Sequence, residues 1–593
     1  MYYTDFQRRD FISKAAAGLA LSFLNPLSLN SSMISSDIIT SSQAKEMIEF
    51  IPLNSIDIEG DLLKRAMKNF DRLEEEKYRP ENIYLTEEQS GNWPADTEGR
   101  TILALTLLSI ATKRDAKYIE EIFRLYPEKV NSLGYFGTIY KDMFNEQQLS
   151  GHGWMLRGLC AYYQYKPDET TLSYIKTMVE NLVLPTIGQH KNYPINPDER
   201  KHTGGYMGTN QESIGKWILS SDIGCDYIFL DGVVHALQIT KDKRLIAIID
   251  EMIARFFEID LIKIKAQTHA TLTALRSILK YHESFPNKKF IAEVEKRFEL
   301  YKKHAMTENF ENYNWFERPQ WTEPCAVIDS FILSAQLWRI TQKEIYMEDA
   351  HKILYNGMMH EQRHNGGFGP NTCSGVENTY LQVSVNEAHW CCTMRGGEGL
   401  ARAIQFMYFT QKDNLFATFY HSGKATLKLN NSNITISQDS SYPLKGSVVF
   451  KIVDSEIKQA IKLNFFIPSW TFLHEIHLNG TKVKFTKKQG FATIEFIPSQ
   501  GDKIELSFVQ EIESKILHNS NSMKGYHKFM YGPLVLGYEG EEVRIHANAK
   551  IIPVENEKFK VLEMPYTLRP IMHLMDPKVW KENDYKIQMI FKD

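Results

Sequence analysis

The chain has little cysteine, no excess of charge of either sign and no long apolar run. Six cysteines in 593 residues are too few for a disulfide-stapled scaffold. The 69 Lys and Arg nearly balance the 73 Asp and Glu, which argues against a polyanionic partner such as nucleic acid. No stretch reaches the roughly 18 apolar residues of a membrane span. What is present is length enough for several cores, three to five domains of about 100–200 residues each.

The N-terminus reads as an address. Arg8-Arg9-Asp10-Phe11-Ile12-Ser13-Lys14 leads into the modest apolar stretch Ala15 to Leu24. Paired arginines before a short hydrophobic segment have the form of a twin-arginine export signal, expected over residues 1–30. A Ser-rich linker over 31–45 follows, and the expected location is periplasmic. The twin-arginine route carries folded proteins, so thiolates already bound to a metal would be protected during export.

Helical hairpins repeat through the central region of the chain. Ala104 to Asp115 with Tyr118 to Phe123 is one unit; Gly158 to Asp168, Gly232 to Asp242 and Leu333 to Lys343 begin others. Weaker copies start near Ala270 and Leu400. Each is an apolar-periodic helix, a Lys/Asp turn and a second amphipathic helix. Such hairpins cannot bury their faces alone. The long motif-rich loops 187–216 and 307–324 favour closure into an (α/α)6 toroid over an open solenoid. This domain is expected over 46–411. Past Gln411 the period falls to two, as in Ala425 to Leu429, Ile461 to Phe466 and Lys503 to Phe508. That pattern predicts an antiparallel β-sandwich over 412–514 and a second β-rich domain over 515–593. The expected fold class is therefore multidomain α + β.

The chemistry gathers around cysteine. Glu323-Pro-Cys325 and the vicinal pair Cys391-Cys392 supply three sulfurs and a carboxylate, a four-ligand set suited to Zn2+. Neighbouring cysteines fit disulfide geometry poorly. Two disulfides among Cys325, Cys373, Cys391 and Cys392 are the alternative, and Cys160 and Cys225 read as buried thiols in apolar helices. A metal-bound thiolate is also a candidate nucleophile. Glu308, in Thr307-Glu308-Asn309-Phe310, is a candidate general acid, with a solvated surface glutamate as the plainer reading.

Together these residues resemble glycoside hydrolase family 127 and its neighbour family 146, the zinc-dependent, cysteine-nucleophile β-L-arabinofuranosidases. The shared features are Glu-x-Phe, then Glu-x-Cys, then a distant Cys-Cys. Ser150-Gly151-His152-Gly153, Thr268-His269-Ala270, Ile467-Pro468-Ser469-Trp470 and Gly532-Pro533-Leu534-Val535 extend the likeness over 93–539. The resemblance implies Cys391 as nucleophile and Glu308 as acid/base. It implies Glu323, Cys325, Cys391 and Cys392 as zinc ligands, and His152 and His269 as sugar contacts. The implied activity is retaining exo-hydrolysis of terminal sugars from oligo- or polysaccharides of plant type, with acid and nucleophile about 5–5.5 Å apart.

The chain also departs from the family. Thr393-Met394-Arg395-Gly396-Gly397 follows the cysteine pair where Pro-Pro-Asn is common, and Pro324 replaces a small polar residue. The segment 214–222 lacks a His-Gln-Glu type sugar contact. Competing readings are an exo-glycosidase of the same scaffold for another sugar, an exported glycan-binding protein with a structural zinc, and a polysaccharide lyase.

Overall fold

The computed structural model describes residues 47–593 apart from 85–92, 202–211, 221, 376–377, 384–386, 518–522, 556 and 574–584. The expected signal and linker lie outside the described residues. No helix among the described residues is long and apolar enough to cross a membrane.

Among the described residues, twelve α-helices of nine residues or more alternate between an outer and an inner ring. The outer ones are α1 (Gly60–Leu73), α3 (Ile119–Lys129), α5 (Glu169–Met178), α7 (Arg244–Glu258), α9 (Lys288–His304) and α11 (Glu344–Lys352). The inner ones are α2 (Asp96–Thr112), α4 (Glu146–Tyr165), α6 (Asp226–Thr240), α8 (Thr268–Ser284), α10 (Pro324–Thr341) and α12 (Cys392–Gln405). Their sequences explain the sorting. Helix α7 buries one stripe, Leu245, Ile248, Ile249, Met252, Ile253 and Phe256, at the i, i+3, i+4 spacing of a helix with one wet face. Helix α10 is buried at every position from Pro324 to Arg339, as a helix surrounded by others must be. Each inner helix packs on the next, and α12 returns to α2 to close the ring. The predicted (α/α)6 toroid is the observed one.

Local chemistry recurs at equivalent points of the repeat. The turn residues Lys113, Lys241 and Gln342, one past α2, α6 and α10, all take the left-handed conformation (φ 56°, 58° and 59°). That conformation ends a helix and reverses the chain. Glycine sets the closest inner contacts. A Cβ on Gly232 would stand 2.5 Å from the Gly153 carbonyl oxygen, and one on Gly153 would stand 2.7 Å from that of Ile228.

The barrel interior is plugged by ions. Arg157, Asp231, Arg276, Asp329, Arg395 and Glu398 are all at most 4% exposed. Arg276 reaches Asp231 at 2.8 Å and Asp329 at 3.0 Å, Arg157 reaches Asp231 at 3.1 Å, and Arg395 pairs with both Asp329 and Glu398. Three cations and three anions cancel, which is what allows burial at this depth.

The β-sandwich has a six-stranded and a seven-stranded sheet. The strand Gly423–Leu429 alternates buried and exposed residues without a break, the pattern of a sheet wetted on one side. One pair, Ile461–Phe466 beside Asn414–Ala417, runs parallel; the others are antiparallel. The sandwich also recruits Glu49–Phe50, paired with Tyr408–Gln411, and Ile56–Ile58, paired with Gly423–Leu429. Strands of two and three residues carry no readable periodicity, so the sequence hid this contribution. A further seven-stranded sheet starts at Ile512–Ile516. Tyr585–Gln588 lies outside that sheet and pairs with Tyr380–Val383, ahead of α12, as a separate two-stranded sheet.

Candidate active site

The site is built on helix N-termini. Cys392 is the first residue of α12 and Cys391 its N-cap. Glu323 is the N-cap of α10, with Pro324 and Cys325 in its first turn. His269 is the second residue of α8 and Asp96 the first of α2. A cavity of about 990 Å³ opens over these ends and is lined from α2, α6, α8, α10 and α12 or the residues just before them. Unsatisfied N–H groups and the helix dipoles favour anions at such positions, the charge that thiolates and carboxylates carry.

The three cysteines separated in sequence meet in space. Cys391 Sγ lies 3.3 Å from Cys392 Sγ, and Cys325 Sγ lies 3.6 Å from Cys392 Sγ. All six cysteines are free thiols, so the disulfide alternative falls away. Cys325 and Cys392 are buried, whereas Cys391 is half-buried at the cavity wall. The facing thiols of Cys325 and then Cys392, aided by the Arg100 guanidinium, hold the Cys391 thiol at about 5 against burial. Burial pushes Cys325 up to about 11, and Cys392 well above its ordinary value. Of the trio, Cys391 is the one held as thiolate.

A metal ion fits this chemistry. The sulfurs of Cys325, Cys391 and Cys392 lie within 4.8 Å of one another, and a second triad of His269, Glu323 and Cys325 shares Cys325 with the first. Glu323 Oε2 is buried with no hydrogen bond, an orphaned anionic oxygen of the kind a cation completes. Its other oxygen lies 3.3 Å from His269 Nδ1. His269 stacks on Trp154, with centroids 5.7 Å apart, and its Nε2 stands 3.5 Å from Asp329 at the top of the ion plug.

Two residues expected at the site are elsewhere. His152 is fully buried; its Nδ1 meets the Gln148 carbonyl at 2.7 Å, and its Nε2 accepts from the Phe136 amide at 3.0 Å. Both nitrogens are occupied, and the ring does not line the cavity. It sits as a core histidine that ties a loop to α4. Glu308 is not a cavity residue either. It sits in the tight turn 307–311, in a buried ion pair in which Lys528 donates to its Oε2 at 2.8 Å and to its backbone oxygen. The motif that suggested an acid has become a joint to the C-terminal sheet. Replacing Glu308 with Gln is expected to destabilise the protein by roughly 3 kcal/mol, because it strands a buried lysine. Denaturant unfolding measures this. Unchanged stability with lost activity would restore the acid role.

Sequence reasoning missed three cavity groups. Arg100 is held by Asp96 at 2.6 and 2.9 Å, lies over Trp154 at 4.2 Å and donates to Cys325 Sγ at 3.4 Å. Asp96 and Arg100, one turn apart at the foot of an apolar run, were a visible signal. Asp222 lines the cavity four residues before α6, and its Oδ1 is buried with no hydrogen bond. Burial, then the neighbouring Glu323 and Glu146, push its carboxyl up to about 8. Nothing in Ser220-Ser221-Asp222 distinguishes it from an ordinary helix-start turn.

Residues 414–509 match the family model of the β-L-arabinofuranosidase GH127 middle domain. By sequence, the β-sandwich is similar to the middle domain of family 127 glycoside hydrolases. A solved GH127 β-arabinofuranosidase superposes with a TM-score of 0.70 at 14% identity, covering 92% of this chain and 98% of that one. The GH127 β-L-arabinofuranosidase from Geobacillus stearothermophilus T6 gives 0.67 at 13%, covering 91% and 99%. A third structure, described as a glycoside hydrolase, gives 0.68 at 12%, covering 93% and 98%. No curated protein matches the sequence. The sequence resemblance to family 127 is thus borne out, and the shared fold runs through toroid and β-domains alike.

Proposed function

We propose that the protein is a retaining exo-glycosidase, a β-L-arabinofuranosidase acting on terminal sugars of plant-type glycans after export to the periplasm. The observation that carries the reading is the Cys391 sulfur. It is the acid-shifted, cavity-facing member of a three-thiol cluster. Cys325, Cys391, Cys392 and Glu323 would hold a zinc ion, which when bound keeps thiols deprotonated at neutral pH.

The reaction proceeds by double displacement. Cys391 attacks the anomeric carbon, a carbon–sulfur bond forms, and the bond to the leaving oxygen breaks. The proton for that oxygen comes from Asp222. The other cavity carboxylates are committed, Asp96 to Arg100 and Glu323 to the thiol cluster. Asp222 keeps its proton because burial penalises its charged form. In the second step Asp222 takes a proton from water, whose oxygen displaces the Cys391 thiolate with the configuration restored. His269, beside Glu323, would meet a sugar hydroxyl.

The test is hydrolysis of p-nitrophenyl β-L-arabinofuranoside, with the first-formed sugar anomer followed by proton NMR and zinc measured per chain. The β-anomer and about one zinc are expected. An α-anomer first, or full turnover after exhaustive chelation, would overturn the mechanism. Turnover of a different aryl glycoside would move the assignment to that sugar.

A further inference from the structure

Three consecutive residues climb from the cavity floor to its mouth. Cys392 is 2% exposed, Cys391 is half-buried, and Trp390 is 48% exposed although it lines the same cavity. An indole left half in water forgoes much of its burial energy. Slack chain does not explain it, because the backbone here is pinned. The Trp390 carbonyl accepts from Thr97 Oγ1 at 3.1 Å, the Ala388 amide donates to Phe368 at 2.8 Å, and the Thr393 amide donates to Ala388 at 3.2 Å. His389 meets the indole at a steep angle, with centroids 4.7 Å apart and planes at 77°, and no ring among the described residues stacks on Trp390. The cavity, at about 990 Å³, is at the upper end of ordinary ligand sites and has room for more than one sugar ring.

We propose that Trp390 is the stacking platform of a subsite for the sugar on the leaving side of the scissile bond. The substrate is then an oligosaccharide with a sugar ring directly on that side, not a glycoside of a small alcohol. This rests on the reading of Cys391 as nucleophile and deepens it. A terminal sugar whose anomeric carbon faces the Cys391 sulfur sends its leaving oxygen toward the mouth. The next ring must pass the residue adjacent to that cysteine. The apolar C–H face of a sugar ring matches the electron-rich indole face, and such contacts need no charge.

The test compares an arabinofuranosyl disaccharide with the methyl arabinofuranoside in the full-length protein. Trp390→Ala is expected to lower kcat/KM for the disaccharide about fivefold to tenfold more than for the methyl glycoside, through KM. Trp390→Phe should recover most of that difference. Equal losses on both substrates would overturn the proposal and leave Trp390 as support for the cysteine turn. Tryptophan fluorescence titration with arabino-oligosaccharide separates this from failure of the hydrolase reading. Saturable quenching that Trp390→Ala removes, in a protein that cleaves neither substrate, would keep the subsite and sink the catalytic assignment. Quenching that Trp390→Ala leaves intact would sink the subsite.

Discussion

Cys391→Ser is expected to lose at least about a thousandfold in turnover, the scale on which removal of a nucleophile acts. A serine hydroxyl is not acidified by the neighbouring thiols as the sulfur is, so the carbon–sulfur bond of the first step has no equivalent. Loss of a zinc ligand would lower activity too, which is why a second measurement belongs with the first. After chelation, iodoacetamide at pH 6–7 should alkylate Cys391 ahead of the other five cysteines, as peptide mass mapping would show. Those five are at most 4% exposed, whereas Cys391 is half-buried and acidified to about 5. Thiolate is the alkylated form, so the contrast follows from exposure and acidity together. Turnover in the serine variant, or even labelling across all six cysteines, contradicts the assignment.

Asp222→Asn should remove the proton donor, with a loss of about 10²–10⁴ in kcat/KM on glycosides with poor leaving groups. Activated aryl glycosides, which leave unprotonated, should suffer much less in the first step. Stability gives an independent reading. The folded carboxyl titrates at about 8 against an ordinary value of 3.8, so between these pH values the folded state holds a proton that the unfolded chain has released. The contribution of Asp222 is therefore fully present below about pH 4 and is lost as pH rises through 8. The variant should melt higher than the parent at pH 8, with the gap closing toward pH 4. A gap that does not change with pH would mean that Asp222 is ionised and solvated in the folded protein. An equal loss on both substrate types would rule out its acid role.

Much of this protein was legible in one dimension because the relevant physics is local. Helix period, the Lys/Asp turns and the switch to alternation after Gln411 depend on residues a few positions apart. The cluster of Glu323 and Cys325 with Cys391 and Cys392 was legible for a related reason. Both segments begin inner helices, and a ring of such helices brings their N-termini to one cavity. Helix-start residues that bear ligands are therefore close together once the ring closes.

What the sequence could not decide was direction. Glu308 and Asp222 are both acids in loops, and His152 and His269 both sit in the opening turns of inner helices. Only the closed barrel turns Glu308 onto Lys528, fills both nitrogens of His152, and leaves Asp222 and His269 lining the same cavity as Cys391 and Cys392. The sequence determined the repeat, the toroid and the chemical identity of the site. Tertiary structure decided which acid and which histidine line the cavity. That choice depends on contacts between segments as far apart as 308 and 528, and no local spacing encodes such a contact.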